Sequence, residues 1–246
     1  MKAGPLLVLG ALAAAGGCGP VVPKEADLVT VDSADFRVIP IVHGTFALAH
    51  DGELVLIDPI GRTAHDGQLL RRSIDYDALS PTLILVTDEH ADHFDADAIV
   101  RLLADGAQVV APAALATSIP QSVGLSNGES IEVGEVVVEA VPMYNLDGVY
   151  HAKGRGNGYV ITWDGARIYV AGDTDCTPEM RALGDIDIAF LPMNPPHTMT
   201  PAEAAECAKA FDPSVVYPYH YRGQEPTDLR YAVQGTAIDV RVRDWY

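Results

Sequence analysis

Short runs of aliphatic and β-branched residues, interrupted by glycine, proline and aspartate, set the pattern of this chain. Four such runs near the start, at 28–31, 37–42, 45–49 and 53–58, are separated by turn residues, Gly44 and Asp51-Gly52 among them, and predict a meander of strands. Strands and helices then alternate. The segments 82–86, 109–111, 136–141, 159–163, 167–171, 186–191, 215–218 and 240–243 read as strands, while helical spacing covers 96–104 and 201–211, with a turn or two at 178–183 and 228–233. Pro178 and Pro201 suit the first turn of a helix, where an amide hydrogen is not needed. Mixed elements in this order predict an α+β domain of two sheets packed face to face with helices outside. No internal repeat is present.

The N-terminus departs from this pattern. Met1-Lys2 is a minimal positive start, 6–15 is an apolar stretch too short to span a bilayer as a mature helix, and Ala15-Gly16-Gly17-Cys18 resembles a lipoprotein processing box. Residues 1–26 are therefore expected to be a signal segment and linker, and 27–246 a single folded domain. Ala15 stands where such a box usually has leucine, so plain secretion or an uncleaved anchor is the alternative. Cleavage before Cys18 leaves 246 − 17 = 229 residues, enough for one two-sheet sandwich with a substantial core. Lipid on Cys18 would place the protein in the bacterial cell envelope.

The chemistry concentrates at strand ends. Asp88-Glu89-His90-Ala91-Asp92-His93 follows the apolar strand 82–86 and precedes a helix, which crowds two imidazoles and two aspartates onto one turn. Alone, its aspartates could simply answer a helix dipole. It is not alone. His151 stands in Tyr150-His151-Ala152-Lys153-Gly154, Asp173 ends the run 168–171, and His220 ends the run 215–217, so separate strand ends each deliver a metal-type side chain. Imidazole and carboxylate donors suit zinc, manganese or iron, and the lack of cysteine among them argues against a closed structural zinc site. Grouped His and Asp at strand ends are the usual form of a catalytic metal centre.

With these segments in this order, the chain resembles the metallo-β-lactamase superfamily of metal-dependent hydrolases. The resemblance runs from about residue 38 to His220. It rests on Leu56-Ile57-Asp58-Pro59, the 87–93 motif, the 151–159 segment, Ala171-Gly172-Asp173-Thr174-Asp175, and Leu191-Pro192-Met193-Asn194 followed by Thr198-Met199-Thr200-Pro201. The last segments are similar to the branch with ascorbate-6-phosphate lactonase-like and N-acyl-phosphatidylethanolamine phospholipase D-like proteins. The resemblance implies a four-layer αββα sandwich and one or two divalent transition metals, zinc first, with manganese or iron(II) as alternatives. It implies a first site of Asp88, His90 and His151, with Asn145 as a rival for the third position, and a second of Asp92, His93 and His220, with Asp173 bridging.

The family motif is His-x-His-x-Asp-His, and this chain has Asp88 in place of the first histidine. A carboxylate there adds negative charge, lowers the Lewis acidity of the metal and moves preference toward harder ions. The expected reaction is hydrolysis of a small ester, lactone or phosphodiester by a metal-bound hydroxide, with Asp92 and Asp173 orienting the attacking water. His197, in a loop that the resemblance sets beside the metal, is expected to contact substrate or protonate a leaving group. Asp58 is expected to hydrogen-bond the ligand loop. His43 is expected to border the pocket or play a structural part, and His50 and His65 to lie on the surface. A non-enzymatic metal- or substrate-binding lipoprotein on a degenerate hydrolase fold is the competing class, made credible by Asp88.

Charge and cysteine narrow the partners. The formal charge is −18, from 34 acidic and 16 basic residues, so no basic stripe exists to neutralise a phosphate backbone and nucleic acid is not expected as a partner. Such acidity also disfavours adhesion to anionic lipid, leaving a lipid on Cys18 as the membrane tether. Cys176 and Cys207 could pair in an oxidising compartment, or be two small buried residues.

Overall fold

The computed structural model describes residues 20–65, 68–103 and 106–246, so the leader and Cys18 lie outside the described residues. The meander is present: β1 (Asp27–Val31), β2 (Ala34–Val42), β3 (Thr45–His50) and β4 (Glu53–Ile57) pair antiparallel in sequence. A separate hairpin follows, β5 (Arg62–His65) with β6 (Gln68–Ser73). Next, β7 (Leu83–Leu85), β8 (Gln108–Pro112) and β9 (Ser122–Leu125) add to β4 in parallel, giving a first sheet ordered β1-β2-β3-β4-β7-β8-β9. Helices α1 (Ala96–Leu103) and α2 (Ala113–Ala116) fall within this half.

The second sheet repeats the plan. Strands β10 (Ser130–Val133), β11 (Val136–Met143), β12 (Gly156–Trp163) and β13 (Ala166–Val170) pair antiparallel. Strands β14 (Ile188–Pro192), β15 (Val215–Tyr219) and β16 (Asp239–Val240) then add in parallel. Helices α3 (Pro178–Arg181), α4 (Pro201–Phe211) and α5 (Thr227–Ala232) connect them.

Most strands are apolar on both faces because both faces are covered. In β3, Phe46 and Leu48 point into the space between the sheets while Ala47 faces the outer layer; in β14, Ile188 and Phe190 point inward while Ala189 and Leu191 face the helices. Phe46 stacks on Phe190 across the sandwich with ring centroids 4.2 Å apart. Ile99 and Leu102 of α1 cover the outside of the first sheet, and Ala204, Ala205, Ala208 and Phe211 of α4 cover the second. This is the αββα sandwich. Helix α4 has the range expected of it, since Pro201 sits in its first turn and Thr200 and Glu203 form a reciprocal cap.

Three details differ from the sequence reading. The hairpin β5–β6, the strands β9 and β10 and the short α2 were not expected, and in place of the strand expected at 240–243 the two-residue β16 lies at Asp239–Val240. Residues 20–26, expected to be linker, hydrogen-bond to the domain: Val21 pairs with Ile74, and Lys24 N donates to Pro40 O. Cys176 and Cys207 are joined in a disulfide that ties the loop after Asp173 to α4.

Candidate metal centre

Loops from both sheets converge at one end of the sandwich. Strand β7 ends and the loop 86–95 begins, carrying Asp88, His90, Asp92 and His93; Asp58 follows β4, Asp173 follows β13, His220 follows β15, and His151 lies in the β11–β12 connection. Among the described residues three donor groups result, each with its ligating atoms within 4.8 Å of one another: His93, Asp173 and His220; Asp88, His90 and His151; and His43, Asp92 and His220.

The first group is buried. His93 Nε2 lies 3.3 Å from Asp173 Oδ2, and His220 Nε2 lies 3.5 Å from Asp173 Oδ1. Yet His93 Nε2, Asp173 Oδ1 and both ring nitrogens of His220 have no hydrogen-bond partner. Buried polar atoms without partners are costly, and several of them facing one another is the arrangement a cation satisfies. In the second group Asp88 contacts His90 Nδ1 closely, and His151 Nε2 is 3.6 Å from both Asp88 Oδ2 and Asp173 Oδ2. Asp173 therefore stands between the two groups. In the third, Asp92 Oδ2 is 3.1 Å from His43 Nε2 and 3.6 Å from His220 Nε2. Its side chain is 28% exposed, against 5% or less for Asp88, Asp173 and His93, so Asp92 is the carboxylate at the mouth.

A further layer aims these side chains. Asp58, fully buried, accepts from Thr87 N at 2.7 Å and Thr87 Oγ1 at 2.6 Å, and faces His93 Nδ1 at 2.7 Å, which leaves Nε2 of that ring for the centre. Asn145 Oδ1 is 2.9 Å from His151 Nδ1 and also accepts from His151 N at 2.9 Å, while its amide nitrogen donates to Asp175 and to the His197 carbonyl. His151 faces the carboxylates and Asn145 sits behind it, against its Nδ1. His43, Asp58 and His220 all have positive φ, at 54°, 46° and 47°. That conformation is uncommon for such residues, and it gathers here at one site.

Backbone also comes close. A Cβ at Gly44 would sit 3.2 Å from His93 Cε1 and 3.4 Å from His220 Cδ2, and one at Gly156 would meet Thr87 O at 2.9 Å, where Asn157 N donates to that carbonyl. Gly156, at the start of β12, thus lets that strand lie directly against the ligand loop.

The local field favours bound cations. Burial opposes ionisation of Asp92 and Asp173, but the surrounding imidazoles overcome it and hold both carboxyls far below the usual range. Burial likewise opposes charge on His93, but Asp173 and Asp58 raise its pKa well above the ordinary value. Contact with Asp88 raises His90, whereas burial lowers His151 and, together with His220, drives His43 down to about 3. Protons on His90 and His93 are what a metal would displace.

His197 is not brought into the cluster. Its exposed ring meets that of Tyr150, with centroids 4.4 Å apart, at the rim beside His151. His50, expected at the surface, instead stacks on Phe36 at 4.4 Å with its side chain 11% exposed. His43 is the residue that sequence reasoning underrated. Its contacts span 49 and 203 residues along the chain, and only the adjacent Gly44, which lets the turn approach His93, hinted at them.

Residues 40–220 match the family described as the beta-lactamase superfamily domain. The chain belongs to this superfamily. The span takes in the site from His43 to His220. Among relatives of this β-lactamase-superfamily chain is a UPF0173 metal-dependent hydrolase of Methanopyrus kandleri, 30% identical over an alignment of 227 positions that covers 84% of this chain and 95% of the relative. A crystal structure described as a metal-dependent hydrolase from Parabacteroides distasonis is 36% identical with a TM-score of 0.80, covering 89% of this chain and 98% of its own. The metallo hydrolase Igni18 of Ignicoccus hospitalis shares the fold at 23% identity and a TM-score of 0.70, covering 85% of this chain and 95% of its own. The protein is thus a metal-dependent hydrolase of the metallo-β-lactamase fold.

Proposed function

We propose that the enzyme hydrolyses a small ester, lactone or phosphodiester at a centre held by Asp92, His93, Asp173 and His220, with Asp88, His90 and His151 forming a second, adjoining site. The observation that carries this reading is the set of buried, unpartnered atoms on His93, Asp173 and His220. The donor set is nitrogen and oxygen only, which suits zinc and equally manganese or iron(II). A divalent metal bound there supplies Lewis acidity and lowers the pKa of coordinated water toward neutrality. The residues do the rest. Asp173 lies between both groups and accepts the positive charge from each side. Asp92, ionised and 28% exposed, is placed to orient an incoming water, take a proton from it and pass that proton to a departing oxygen. Asp58 and Asn145 keep the rings of His93 and His151 aimed. His197 and Tyr150, at the rim, are placed to touch the part of the substrate outside the centre.

The metal-loaded protein, offered a panel of esters, lactones and phosphodiesters, is expected to turn over one class, with elemental analysis of the same preparation giving metal per chain. Two metals per chain support a true site at Asp88, His90 and His151. One metal supports the arrangement in which Asp88 and His90 satisfy each other, and bound metal without any turnover overturns the reading.

The same proposal extends to location. The leader, a lipid on Cys18 and a disulfide between Cys176 and Cys207 fit an envelope enzyme, because such bonds persist in oxidising compartments. No helix among the described residues is long and apolar enough to cross a membrane. Cys18→Ala is expected to move the protein from the membrane fraction to the soluble one; an unchanged distribution with Met1 still in place would refute the lipid anchor. The acidity of the chain supports a small-molecule substrate over nucleic acid.

A further inference from the structure

His43 stands in the turn between β2 and β3, where the reading above gives it no part. It is buried, with Nε2 3.1 Å from Asp92 Oδ2 and Nδ1 2.7 Å from the Tyr246 hydroxyl. These two partners decide where the proton of a neutral imidazole sits. An ionised carboxylate only accepts, so Nε2 carries the hydrogen and donates it to Asp92; Nδ1 is then bare and accepts from the Tyr246 hydroxyl. The opposite tautomer would set a lone pair on Nε2 against the carboxylate. Both ring nitrogens are therefore engaged. Although His43, Asp92 and His220 bring donor atoms within 4.8 Å of one another, His43 has no lone pair to give a metal.

The ring is held as well as protonated. It lies 3.7 Å, centroid to centroid, from His220. Its backbone N–H donates to Trp245 O at 2.9 Å, and its carbonyl accepts from His220 N at 3.3 Å. The turn is thus laced between the His220 loop and the 245–246 segment. Asp92, in contrast, is the most exposed carboxylate of the centre, and the terminal torsion of an aspartate is soft. A fixed donor removes that freedom at the residue where orientation matters most.

We propose that Tyr246 and His43 form a positioning relay for Asp92, in which the tyrosine hydroxyl selects the His43 tautomer and the His43 Nε2–H sets the orientation of the carboxylate. The inference rests on Asp92 serving the centre, but its first test does not need turnover. Nitrogen-15 NMR of the imidazoles in zinc-loaded protein is expected to show His43 protonated at Nε2, and a shift toward the other tautomer in Tyr246→Phe, which removes only the hydroxyl facing Nδ1. Metal content of His43→Ala, His43→Gln and Tyr246→Phe is expected to equal that of the wild type. With whichever substrate the panel finds, His43→Ala should lower kcat by about 10–100-fold with little change in KM, the range for losing a group that orients a ligand. His43→Gln, which keeps an N–H donor toward Asp92, should recover part of that loss, and Tyr246→Phe should fall between. A bare Nε2 in the wild type, or one metal missing from His43→Ala, overturns the relay and makes His43 a ligand. An unchanged kcat in His43→Ala overturns it too. Failure of every substrate strikes at the hydrolytic reading alone and leaves the tautomer and metal measurements to decide this one.

Discussion

Asp173→Ala is expected to lose most of its metal and more than about a hundredfold in turnover. Even a group that only orients a ligand is worth about 10–100-fold, and Asp173 stands closer than that. Its Oδ2 faces His93 at 3.3 Å and His151 at 3.6 Å, its Oδ1 faces His220 at 3.5 Å, and its side chain is 5% exposed. Among the described residues no other carboxylate forms ion pairs with histidines of both groups. The metal-free variant also carries imidazoles without the charge that offset their burial. His93 should lose part of its raised pKa, because Asp173 is the first of the two carboxylates that raise it. This gives a second readout with a definite sign. In the wild-type protein without metal, His93 is protonated up to a pH well above the ordinary value, so metal must displace that proton. Affinity for metal therefore falls as pH falls, and binding releases acid. In Asp173→Ala whatever affinity remains should depend less steeply on pH near neutrality. Elemental analysis after dialysis and proton release during titration check both statements. Retention of full metal by Asp173→Ala, or by His220→Ala, would sink the assignment of the centre at His93, Asp173 and His220.

Much of this architecture was legible because local signals and burial agreed. The run 83–85 is short and wholly apolar because β7 is covered on both faces, and the crossing from strand to chemistry at Thr87 follows directly. Pro201 and the cap at Thr200 mark α4 at its first residue. What escaped reading lacked such agreement. Arg62–His65 carries two charged or titratable residues in four and shows no alternation, and Gly124 interrupts Ser122–Leu125. The β10 edge was more readable than it was taken to be: Ser-Ile-Glu-Val alternates, and Gly134, at φ 58°, supplies the tight turn into β11. Within the site, residue types predicted the donors but not their neighbours. Asn145 and His151 could not be ranked until the structure turned one toward Asp173 and set the other behind it. His43 was hidden because its partners Asp92 and Tyr246 are remote in sequence, and a lone histidine before a glycine has no periodic signature.

Asp58 is where stability and chemistry separate most cleanly. Its carboxylate is 0% exposed, receives both the N–H and the hydroxyl of Thr87, and faces His93 Nδ1. Asp58→Ala should cost about 3–5 kcal/mol in the metal-free protein, the range for removing one member of a buried ion pair and leaving the other uncompensated. Urea denaturation reads this as a lower midpoint. Asp58→Asn is the more informative change. An asparagine retains the shape and can accept from Thr87 N through its carbonyl, so the loss of stability should be smaller. Its amide nitrogen, however, is a donor, and toward His93 Nδ1 it demands a bare nitrogen. The proton of a neutral His93 is then driven to Nε2, the atom that faces Asp173 and the centre. Asp58→Asn should therefore fold while binding metal about 10–100-fold more weakly, measured by competition with a chelator. If Asp58→Asn matches the wild type in metal affinity, the carboxylate does not set the His93 tautomer, and its place beneath the ligand loop is purely structural.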